Sequence, residues 1–217
     1  MKRHATALIL LFGLALTGCA SAGPTSANDG GAGSSATSAP ADSAPTPTPA
    51  DSITVGVDAL ATVYDGEEAT YPYSDPEPLL AFVEELTGAA PQSEDIEDPW
   101  GNGEVWGTKY TWDGIIVSSM TDGGAGIRVT AAEVNGVPVT TTPGIAVGST
   151  SDAVVAAGGW ETWNDGTSYY YGIDPHPVEG TQSLSTPGEV GHAYVDITTQ
   201  NGVVTALTSP ANDYSDI

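Results

Sequence analysis

Short runs of alternating apolar and polar residues fill the chain from residue 53 onward, punctuated by turn residues. The turns are Asp65-Gly66, Asp113-Gly114, Asp122-Gly123-Gly124, Asn135-Gly136, Asp165-Gly166 and Asn201-Gly202. Residues 53–64 and 68–73 flank the first of them and read as a β-hairpin. The period then changes. Ser74 or Asp75 can cap a helix, Pro76 suits its first turn, and Glu77 suits the positive end of its dipole. Leu79, Leu80, Val83 and Leu86 follow at helical spacing beside Phe82, and Gly88 stops the helix. Residues 94–103 read as an acidic, glycine-containing loop.

Residues 105–120 favour one continuous strand with a late turn at Asp122-Gly123-Gly124, the alternative being a hairpin turn at Asp113-Gly114. Trp106, Tyr110 and Trp112 have one parity and so one face of an unbroken strand. Residues 127–134 and 137–141 form the clearest hairpin signal around Asn135-Gly136, with Pro138 placing its second strand at an edge. A second helix is expected over 151–157, ended by Gly158-Gly159. Residues 169–171, 193–199 and 203–208 read as three more strands, the last two joined at Asn201-Gly202.

These elements predict an α+β fold: an antiparallel sheet with two short helices on one face. The order helix, strands, helix, strands suggests two tandem αβββ-like modules, about 74–141 and 144–208. Sequence identity between the halves is slight, so the repeat is one of architecture. An aromatic-rich loop follows each helix, 100–112 in the first half and 160–171 in the second. The globular region is 53–217, long enough for a sizeable core.

The first 52 residues carry other signals. Lys2, Arg3 and His4 precede an apolar stretch at 5–16, too short for a membrane-spanning helix, which needs roughly 20 residues. Leu16-Thr17-Gly18-Cys19 then resembles the lipobox of bacterial lipoproteins. The resemblance implies that 1–18 is a signal peptide and that Cys19 receives diacylglycerol and becomes the first residue. Two acyl chains suffice for stable anchoring at the outer side of the cytoplasmic membrane. The chain has one Cys, so lipidation leaves no thiol for redox or metal chemistry. Residues 20–52 hold Ala, Ser, Thr, Pro, Gly and a few Asp and Asn, which cannot offset chain entropy by burial. They read as a disordered tether reaching about 30 Å on average by random-coil scaling.

The stretch 144–154, with the closing strand 202–207, looks like a helix–three-strand module. That module is found in small bacterial envelope-assembly lipoproteins and in the beta-lactamase inhibitory proteins. The likeness covers 144–208 well and 75–141 loosely, and this chain lacks the inhibitors' disulfide. It implies a fold and transfers no contact residue.

Composition narrows the function. Lys and Arg total 4 against 28 Asp and Glu, a net charge of −24, or 2 − 28 = −26 once residues 1–18 are removed. That balance argues against nucleic acid as a partner. One Lys, one Arg and two His beyond the signal peptide are a thin inventory for an enzyme. No nucleophile elbow, phosphate loop or His-Glu-x-x-His is present. His192 with Asp196 is the one hydrolase candidate. Asp174-Pro175-His176-Pro177 reads as a rigid exposed loop, and 94–98 as a solvated acidic segment without EF-hand spacing. No cofactor or metal is expected.

Trp100, Trp106, Trp112, Trp160 and Trp163 are the candidate binding residues, since exposed aromatics stack on sugars or anchor protein partners. Buried, they would instead be the core of a twisted sheet; Trp100 and Trp163 have the most loop-like surroundings. The expected function is a lipid-anchored, non-enzymatic binding module for another envelope protein. The alternative is a carbohydrate- or peptidoglycan-binding lipoprotein.

Overall fold

The computed structural model describes residues 50–216; Cys19, its lipobox and the tether as far as residue 49 lie outside them. Fifteen strands and two helices make up the described residues. The first run is broken at Gly56-Val57-Asp58 into β1 (Ser52–Val55) and β2 (Ala59–Tyr64), because Gly56 turns back to bond Ala59. β2 pairs with β3 (Glu67–Pro72) across Asp65-Gly66, where both residues have positive φ, as a type I′ turn requires.

Helix α1 (Pro76–Thr87) buries Leu79, Phe82, Val83 and Leu86. Asp75 is its N-cap but makes no side-chain capping bond, and left-handed Gly88 ends it. A four-strand meander follows: β4 (Gln92–Glu97), β5 (Val105–Trp112), β6 (Ile115–Met120) and β7 (Ala125–Val129). Two expectations change here. The acidic stretch 94–103 is loop only from Asp98 on: residues 94–97 are edge strand, with Glu94 opposite Lys109. Residues 105–120 are a hairpin turned at Asp113-Gly114, so the continuous-strand reading fails. Gly114 takes φ 77, and the hairpin buries Trp112 and Ile115 side by side.

β8 (Glu133–Val134) and β9 (Val137–Thr141) form the Asn135-Gly136 hairpin. β9 runs parallel to β1, giving a five-stranded sheet in the order β3-β2-β1-β9-β8. Helix α2 (Ser151–Ala156) is capped by Thr150, whose hydroxyl accepts the Ala153 amide at 3.2 Å. The stretch read as aromatic loop is a second hairpin, β10 (Trp160–Asn164) with β11 (Ser168–Val178). The meander continues through β13 (Gly191–Gln200) and β14 (Val203–Asn212), while β12 (Thr181–Ser183) pairs with β15 (Tyr214–Asp216) to one side.

The fold is α+β and dominated by antiparallel sheet. Each half is a helix followed by four meander strands, one more than the expected three. The eight strands form one sheet in the order β10-β11-β13-β14-β7-β6-β5-β4. Each half contributes its last strand to the central seam, β14 against β7. Helix α1 buries its apolar stripe, and α2 its Val154, in the same core as the two large sheets.

Candidate functional site: the open face of the eight-stranded sheet

Residues paired across strands share a face, so the register assigns the two faces. One face carries the row Trp112, Ile115, Val129, Leu207, Ile197 and Tyr171. The first five are buried and belong to the core. The opposite face carries, from β4 to β10, the row Gln92, Thr111, Ile116, Arg128, Thr208, Asp196, Gly172 and Trp160. Every member of that row except Gly172, which is buried, keeps solvent exposure. A parallel row, Glu94, Lys109, Ser118 and Gly126, widens the face.

The chain's two cations beyond the signal segment, Arg128 and Lys109, both lie on this face. Lys109 is ion-paired with Glu94. Arg128 Nη1 donates to Thr208 Oγ1 at 3.0 Å across the central seam. Burial pushes the neighbouring Asp196 carboxyl up to about 6, against the pull of the Arg128 guanidinium. The seam and the strands beside it therefore carry a mixed patch of half-buried Ile116, Arg128, Thr208 and Asp196, on a protein that is otherwise acidic.

The five tryptophans do not act together. Trp112 is withdrawn from the binding set: it is 7 % exposed, and its Nε1 donates to Ala89 O at 2.8 Å. Trp106 is the bulge residue of β5, without a partner on β4, half-buried and edge-on to Trp100 at 5.3 Å. Trp100 is 80 % exposed in the β4–β5 loop. Trp163, 58 % exposed, packs against Tyr170 at 5.0 Å. Trp160 and Trp163 both stand on the outermost strand at the second end of the open face.

His192 and Asp196 are not brought together. They have one parity on β13, but four residues of strand separate their Cα atoms by about 13 Å. His192 donates its amide to Asp213 Oδ1 at 2.7 Å, whereas Asp196 neighbours Arg128. His176 is not in a loop but in β11, at a bulge, with Nδ1 2.9 Å from Asp58 Oδ2 and Nε2 3.9 Å from Asp174 Oδ1. In the acidic segment, Asp98 Oδ1 accepts the Trp100 amide at 3.0 Å and pins the loop. Among the described residues no group of three His, Cys, Asp or Glu side chains could hold a metal ion. No described helix is long and apolar enough to cross a membrane.

A cleft of about 610 Å³ opens beside the end of α1, lined by Thr87, Gln92, Trp112, Asp113, Glu133 and Asn135. It has carboxylates but no histidine or cation to work with them. Sequence reading missed Ile116, Arg128, Thr208 and Gly172. Their importance rests on cross-strand register, which alternation within one strand does not reveal; choosing the turn at Asp113-Gly114 would have exposed Ile116 as the outward partner of buried Ile115. No family model matches the chain, and no curated protein or solved structure matches it either.

Proposed function

We propose that the protein is a non-enzymatic binding module, held by lipid at Cys19 on the outer side of a bacterial membrane, that docks another envelope protein on its open sheet face. The observation that carries this reading is the eight-strand row itself. A sheet whose second face is water-washed ordinarily presents polar side chains there. This one presents Ile116 on β6 beside the Arg128 guanidinium, with the half-buried Asp196 carboxylate beyond Thr208 and aromatic residues at the far end. An apolar centre with a polar surround and few charges is the anatomy of a protein interface. The acidic remainder of the surface favours a partner with basic groups around the contact.

The test is capture by the immobilised full-length chain from a detergent extract of the envelope. A defined protein held by the wild type and lost with Ile116→Asp or Arg128→Glu supports docking on this face. Val63→Asp, on the outer side of the five-stranded sheet, should leave capture unchanged. Capture that survives both open-face changes would rule this surface out.

A further inference from the structure

The β10 end of the open face holds a pocket of about 220 Å³ lined by Trp160, Pro175, Ser183, Thr186, Glu189 and His192. Its volume is below the roughly 300–1,000 Å³ of drug-sized ligand sites, so it suits one small ring. We propose that this pocket is a saccharide seat, in which the Trp160 indole stacks on one neutral pyranose ring and the surrounding polar groups bind its hydroxyls.

The indole is held flat by its neighbours. Trp160 lies directly over Gly172 on the adjacent strand. A Cβ added at Gly172 would stand 2.6 Å from Cε2 and 2.7 Å from Cη2 of the indole, so only glycine lets the ring lie on the backbone. The edge of the ring system meets Tyr194 at 5.4 Å and 65°. Yet Trp160 remains 38 % exposed. A large aromatic side chain fixed on one side and open on the other offers its surface to a ligand at little further cost in side-chain entropy. The C–H face of a pyranose is the complementary surface, since it is apolar, weakly positive and of ring size.

The polar wall is also fixed in advance. Asp213 Oδ1 accepts the His192 amide at 2.7 Å, and Asp213 Oδ2 accepts the hydroxyls of Ser183 and Ser185, both at 2.8 Å. Ser183 Oγ in turn accepts the Thr186 amide at 2.9 Å. The Ser183 amide donates to Glu189 O at 3.0 Å, closing the loop on itself. One carboxylate thus ties together the strand that carries His192 and the loop that carries Thr186 and Glu189. Imidazole, carboxylate and hydroxyl groups donate and accept as sugar hydroxyls require. The lining has a Glu and neither Lys nor Arg, and the whole protein is strongly acidic, which disfavours phosphates, uronic acids and other anions. The site needs no protein partner, so it stands apart from docking at Ile116.

The test is saturation-transfer NMR on the full-length chain with three uncharged probes: methyl glucoside, N-acetylglucosamine and diacetylchitobiose. Transfer to the ring C–H protons of at least one probe is expected. Trp160→Ala and Gly172→Ala should each weaken that binding by about tenfold or more. Trp163→Ala should leave it within about twofold. If either Trp160→Ala or Gly172→Ala fails to fold, Glu189→Ala and His192→Ala, outside β10 and its seat, should lower affinity in its place. No transfer from any probe would overturn the seat while leaving the docking face to its own test. Binding that survives Trp160→Ala in a folded protein would overturn it equally.

Discussion

Asp196 stands on the open face one strand from the central seam, and its environment makes a claim that can be measured. Its carboxyl is raised to about 6 by burial, above the roughly 3.9 of an unfolded chain. The folded state therefore holds this proton more tightly than the unfolded state. The group favours folding in full below about pH 4, and that contribution is lost as the pH rises through about 6. Above that, an ionised Asp196 is a standing cost. Asp196→Asn should stabilise the protein by about 2 kcal/mol near pH 8 and change little near pH 4. Urea unfolding at the two pH values measures the difference; equal effects at both would contradict the assignment. At this scale the sequence was partly legible. The common face of Tyr110 and Trp112 followed from parity, the bulge at Trp106 did not, and which face water reaches depends on what packs there. So Trp112, which seals the core against Ala89, could not be told from Trp160, which lies open over Gly172.

Capping explains both what was readable in the helices and what was not. The alternation of Pro76, the apolar stripe from Leu79 to Leu86 and the terminal Gly88 marked α1 with its correct ends. Its N-cap residue is nonetheless passive, whereas Thr150 holds the first turn of α2. Thr150→Ala should cost about 1 kcal/mol, and Asp75→Ala only a few tenths, from the helix dipole. Thermal or urea unfolding of the two variants makes the comparison, and an equal loss would show that Asp75 caps in solution. Strands were harder. Glu94, Asp95 and Glu97 look like loop by composition but form an edge strand, where charge prevents further pairing. Trp160 to Asn164 were likewise missed as strand, because that edge strand is exposed throughout and offers no alternation to read.

For the whole molecule, the order helix–strands repeated twice was visible in the sequence, and the sheet it builds was not. The seam between β7 and β14 joins residues 78 positions apart, Val129 and Leu207, and nothing in the pattern marks it: Leu207 there is simply one more buried apolar residue. Only that seam brings Arg128 to Thr208 and beside Asp196, and so makes two meanders into one face. The β8–β9 hairpin leaves the first half to pair with β1, which ties the N-terminal strands into the same core. The open face is thus a large surface to which both halves contribute, and docking there is the central functional claim. Its most direct measurement is site-specific photocrosslinking of the full-length chain in living cells, with the reactive residue placed at 116 or, for comparison, at 63. A single adduct of defined mass from position 116, absent from 63, is the predicted result. No adduct at 116, or the same adduct from both positions, would contradict the account.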